Sequence, residues 1–141
     1  MSRARPRLIR RASRNSVMPV PILAQAPYLI ASVRNALTDA DLVRLQNDLL
    51  MEAQKRRSQG VVVDVTSLDV IDSFSVRTLQ SMAIMLRLRG VETVIVGIQP
   101  SVAIAMAELG VSILDVRTAL DLDDGLAYLR ARPQGRADRG R

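Results

Sequence analysis

A chain of 141 residues with a formal net charge of +6 is long enough for one domain with a single core. Hydrophobic residues make up 48% and aromatic ones 2%, so Val, Leu, Ile, Ala and Met build that core, and one Phe and two Tyr leave little for the aromatic platforms on which single-stranded nucleic acids stack. Without cysteine or histidine the chain has no disulfide framework, no thiolate nucleophile, no Ser-His-Asp triad and no Cys- or His-ligated metal site.

Residues 1–17 carry Arg3, Arg5, Arg7, Arg10, Arg11 and Arg14 and no acid, and read as a basic disordered extension. They lack the continuous apolar core and cleavage site of a secretory signal, and Met18 is an alternative start. "VPILAQAPYLIASV" (20–33) gives two short strands split at Ala26-Pro27, where proline interrupts a ladder. A helix opens at Thr38, with Asp41 completing a capping box; its apolar stripe is Leu42, Leu45, Leu49 and Ala53, and Gly60 is expected to stop it. "VVVDV" (61–65) is the kind of β-branched run that a strand buried on both faces needs.

The next helix is expected from near Ser73 to about Arg89, with Val76, Leu79, Ala83 and Leu86 as its apolar face. "TVIVG" (93–97) is another buried strand. Pro100 and Ser101 open a third helix closed by Gly110, "ILDV" (113–116) suits a short edge strand, and "LDLDDGLAYLR" (120–130) a last helix weakened by Gly125. The order ββαβαβαβα predicts an α/β domain over residues 18–130, with a mostly parallel sheet and helices packed against it. Residues 131–141 read as a second basic disordered tail.

The basicity belongs to the ends. Residues 17–129 hold nine basic and thirteen acidic side chains, a net −4. The tail arginines attract phosphates by charge alone, so neither a specific nucleic acid nor a membrane is expected as a partner. No apolar run reaches the length of a membrane span, which makes the cytoplasm the default location. Neither common phosphate-cradling glycine pattern occurs, and Lys55, the only lysine, sits at a helix end. An enzyme is not expected, nor any metal or cofactor.

"LDVIDSFSVRTL" (68–79) concentrates polar groups where a central strand's carboxyl end passes into a helix, a common place for sites in parallel sheets. Ser73 suits a helix N-cap. That role, the commoner one for serine, does not exclude an acceptor for phosphate, because unpaired backbone N–H groups and the helix dipole lie beside it. Ser75 is the runner-up acceptor and Ser67 a further competitor. Asp69 and Asp72 make a weak case for acid–base or metal work without histidine; Asp72 also suits the electropositive helix start. Arg77, four residues beyond Ser73, is the nearby cation. Asp64 reads as a structural carboxylate. Gln99 and Ser101, on the next strand-to-helix loop, are candidate partner contacts or ordinary turn residues. Met82, Met85 and Met106 read as core filler.

The blocks "PVPIL", "DVTSLDVIDSF" and "GIQPSVAI…ELG", supported by "ALDLDDGL", together resemble a STAS domain over about residues 19–130, and within it the RsbS-type antagonists of the bacterial stressosome. The resemblance implies phosphorylation of Ser73 by a dedicated switch-type serine kinase. It further implies self-association and assembly with larger STAS sensor proteins into a cytoplasmic complex that holds the kinase until phosphorylation releases it, with a phosphatase to reverse the step. Asp69, Asp72, Phe74, Arg77, Gln99 and Ser101 are then the expected partner-binding residues. A free anti-anti-sigma factor that binds an anti-sigma kinase is the alternative in the same fold, and a small-ligand or nucleotide-binding domain the alternative from another class.

Overall fold

The computed structural model describes residues 7–8, 20–35, 37–110 and 116–133. Five strands and four helices follow the expected order: β2 (Ile22–Gln25), β3 (Tyr28–Ser32), α1 (Asp39–Arg56), β4 (Gly60–Asp64), α2 (Ser73–Leu88), β5 (Glu92–Val96), α3 (Pro100–Glu108), β6 (Arg117–Ala119) and α4 (Leu122–Ala131). A two-residue strand, β1 (Arg7–Leu8), precedes them and pairs antiparallel with β2. These two residues belong to the 1–17 extension. Residues 1–6, 9–19 and 134–141 of the two tails lie outside the described residues.

The strands stand side by side in chain order, β1 to β6. β2 and β3 are antiparallel, whereas β3, β4, β5 and β6 are parallel. Because this order never reverses, crossovers of a single hand put α1, α2 and α3 on one face. Side-chain alternation supplies that face with Leu29, Ala31, Val61, Val63 and Ile95, which share one buried cluster with the predicted stripe of α1 and with Leu79, Met82 and Leu86 of α2. The opposite face presents Tyr28, Ile30, Val62, Val94 and Val96 to Leu126 and Leu129 of α4. Met82 and Met106 are buried, in keeping with a filling role, and Met85 is half-buried.

Several boundaries differ from expectation for local reasons. α1 does not run to Gly60: Arg57 takes a left-handed conformation (φ 53°), and the Ser58 N–H donates back to the Ala53 carbonyl at 2.9 Å, closing the helix. Gly60 instead opens β4. Among the described residues the edge strand is Arg117–Ala119, with Val116 buried just before it; residues 113–115 of the expected "ILDV" strand lie outside the described residues. An edge strand needs only backbone pairing, here Val94 with Arg117 and Val96 with Ala119, so apolar content does not mark these three residues.

α4 starts at Leu122, capped by Asp121, which accepts the Asp124 N–H at 2.9 Å. Gly125 is a packing requirement of this helix. A Cβ there would stand 2.7 Å from Cγ1 of the fully buried Val96. Gly125→Ala gains about 1 kcal/mol of helix propensity. Against it stands an overpacking cost of about 1–3 kcal/mol at a strand residue that cannot yield. The clash should win, and urea unfolding of Gly125→Ala is expected to show a net loss of about 1 kcal/mol.

Candidate functional site

The carboxyl ends of β3, β4 and β5 lie at one end of the sheet. The ladder extends one residue beyond each pair, with the Val33 N–H on the Asp64 carbonyl at 2.8 Å and the Val65 N–H on the Val96 carbonyl at 3.0 Å. Three loops leave this edge together. Asp64 accepts the Thr66 N–H at 2.9 Å and also its hydroxyl, which makes it the structural carboxylate its strand-end position suggested. The amide of Gln99 donates to the Thr66 carbonyl, and the Ser101 hydroxyl donates to the Asp69 carbonyl at 3.0 Å. Asn35 and Asp69 bond reciprocally: the Asn35 amide donates to the Asp69 carboxylate at 2.8 Å, and the Asp69 N–H donates to Asn35 Oδ1 at 3.3 Å.

Asn35 was not singled out from sequence. The signal available was its place just beyond β3, the third strand ending at this edge. Gln99, Ser101 and Asp69 thus have polar groups engaged in tying three loops into one rigid platform.

Asp72, not Ser73, caps α2. Its carboxylate accepts the Ser75 N–H at 2.8 Å while its backbone stays extended, and Ser73 is the first helical residue. The Ser75 backbone N–H, and next its hydroxyl, hold the Asp72 carboxyl below the ordinary aspartate value. Asp72→Ala should therefore cost about 1 kcal/mol at neutral pH. A lowered folded-state pKa adds stability that is complete above the unfolded value of about 3.9 and lost as pH falls through the folded one. Thermal melts of wild type and Asp72→Ala are accordingly expected to converge in strong acid.

Ser75 and Ser73 point to different surroundings. Ser75 lines a cavity of about 220 Å³ with Asp72, Arg34 and Asn35 on its polar side and Leu68, Ile71 and Leu79 on its apolar side. Ser73 is half-buried and outside that lining. Phe74 and Val70 beside it are 39% and 68% exposed, and Arg77 is exposed one turn further on. The predicted residues therefore separate by role, with Asp72 capping the helix and Ser75 lining the cavity. Asp69, Gln99 and Ser101 clamp loops, while Ser73, Phe74 and Arg77 stand at the open start of α2. No cluster of acidic side chains suited to a metal ion occurs among the described residues, and none of their helices is long and apolar enough to cross a membrane.

Residues 21–124 match the model of the STAS domain family. The chain belongs to the STAS-domain family. Its fold superimposes on a serine-to-glutamate variant of RsbS from Moorella thermoacetica with a TM-score of 0.71 and 31% identity, covering 79% of this chain and 95% of that one. A chain in a structure of the stressosome, a signal integration and transduction hub, matches with a TM-score of 0.70 and 33% identity over 78% of this chain and 96% of that one. The RsbT co-antagonist protein RsbRA of Bacillus subtilis (strain 168) is 30% identical over 83 residues, which is 59% of this chain. The STAS chain spans 30% of that relative's length. The α/β architecture and RsbS-like character expected from the motif blocks are those found.

Proposed function

We propose that this STAS domain is a non-enzymatic phosphoacceptor scaffold that holds a serine kinase in a stressosome-like cytoplasmic assembly and releases it when Ser73 is phosphorylated. The observation that carries the reading is the position of Ser73. It opens α2 outside the loop-clamping hydrogen bonds, beside exposed Phe74 and Val70, in a chain similar to RsbS and to a stressosome chain. A phosphate there adds about −1.5 to −2 charge next to the free N–H groups of a helix start, which tolerate an anion. The rigid platform beneath keeps the fold while the docking surface changes charge.

Two features weigh against a nucleotide site at these loops. The cavity of about 220 Å³ is smaller than the pockets of about 300–1,000 Å³ usual for small ligands. The parallel strands run in order without the reversal that opens a binding crevice in other α/β sheets.

The test is sedimentation of the full chain with a larger STAS sensor and the cognate kinase, before and after ATP. Large co-assemblies that shed the kinase on ATP addition support the scaffold. A monomer or dimer that ignores the sensor but binds an anti-sigma kinase supports the free antagonist. Tight nucleotide binding by the chain alone would contradict both.

A further inference from the structure

On α2 the residues Phe74, Arg77, Ser81, Ile84 and Leu88 follow one another at alternating three- and four-residue steps, the spacing of a single helix face, and all are exposed. Phe74, Ile84 and Leu88 are 39%, 41% and 80% exposed, so the stripe is apolar with one cation set into it. Arg77 makes no hydrogen bond or ion pair among the described residues. The helix offers it none, because its 16 residues contain no acid. The neighbouring carboxylates are engaged elsewhere, Asp72 with the Ser75 N–H and Asp69 with Asn35. An exposed apolar stripe holding an uncompensated guanidinium complements a surface with apolar side chains and a carboxylate.

Ser73 lies four residues before Arg77, hence on the same side of the helix one turn away. An anion placed N-terminal to a cation at this spacing is the favoured orientation, and a phosphate offers three acceptor oxygens to a guanidinium fork.

Resting on the Ser73 reading above, we propose that Arg77 is the charge this switch transfers: unmodified, it pairs with a carboxylate of the docked kinase, and after phosphorylation the phosphate of Ser73 holds it within α2. The kinase carboxylate then loses its counterion and faces a phosphate. Release follows from two changes produced by one modification, with no movement of the fold.

Two measurements test this. The first needs no kinase: phosphoserine is incorporated at position 73 during synthesis and titrated by phosphorus NMR. Pairing with Arg77 lowers the phosphate's second pKa, so Arg77→Gln should raise it by about half a unit, and Arg77→Lys by less. The second measures kinase affinity for the unphosphorylated full chain. Arg77→Gln should weaken it on the order of tenfold and narrow the gap between modified and unmodified protein, with Arg77→Lys retaining most of the affinity. Arg77 is exposed, so thermal melts of both variants should match wild type and exclude misfolding. An unchanged phosphate titration, or unchanged kinase affinity in Arg77→Gln, overturns the proposal. Failure of the kinase to modify Ser73 in the wild-type chain would instead sink the earlier reading, and the two failures are read from different samples.

Discussion

Ser73→Ala is expected to fold like the wild-type chain, take up no phosphate from the cognate kinase, and keep that kinase bound when ATP is present. Folding should be preserved because Asp72 supplies the cap of α2, and the Ser73 hydroxyl makes no hydrogen bond among the described residues. Retention follows because the docking surface never gains the dianion. Ser73→Asp should release the kinase only in part, since one carboxylate carries less charge and fewer acceptor oxygens than a phosphate. A pull-down of the three forms, with and without ATP, should rank kinase retention as alanine first, aspartate second and phosphorylated wild type last.

Gly97→Ala is expected to cost about 3 kcal/mol or more of stability, the largest single effect outside the hydrophobic core. Two terms add. Gly97 sits at φ 78°, in the left-handed region where a side chain costs about 1–2 kcal/mol. A Cβ there would also overlap the Thr66 hydroxyl and stand 3.0 Å from Thr66 Cβ. Thr66 cannot step aside readily, because Asp64 holds its N–H and hydroxyl and Gln99 its carbonyl. Urea unfolding of Gly97→Ala in wild-type and Thr66→Gly backgrounds should separate the terms. The loss is expected to shrink to the backbone share once the threonine side chain is gone.

What could be read in the sequence is what periodicity and capping encode. Thr38 and Asp41 form the expected reciprocal cap, with the Thr38 N–H on Asp41 at 2.9 Å and the Asp41 N–H on Thr38 at 3.0 Å. "VVVDV" is buried as a central strand requires, and alternation within it assigns Val61 and Val63 to one face and Val62 to the other. What could not be read depends on partners distant in sequence. β1 exists because Arg7 and Leu8 meet the open edge of β2, and an arginine-rich stretch gives no local hint of that pairing. The end of α1 rests on a left-handed arginine, a conformation that sequence assigns to glycine by default.

The candidate site divides the same way. Its location followed from strand and helix order, and the cluster between Asp69 and Arg77 was visible as a motif. Whether Asp72 or Ser73 caps α2, and that Asn35 clasps Asp69 across 34 residues, needed coordinates. Serine and aspartate are comparable N-caps, so choosing between Asp72 and Ser73 rests on a one-residue difference in where the helix begins.

The central claim is that one hydroxyl, at the start of α2, takes the phosphate. Incubation of the full chain with its cognate kinase and ATP, followed by phosphopeptide mass spectrometry, tests it most directly. The account predicts a single phosphate on Ser73, with Ser75 unmodified because it lines the cavity and its hydroxyl bonds the Asp72 carboxylate. Phosphate on Ser75 or Ser67, or none on any hydroxyl between residues 66 and 78, would contradict it.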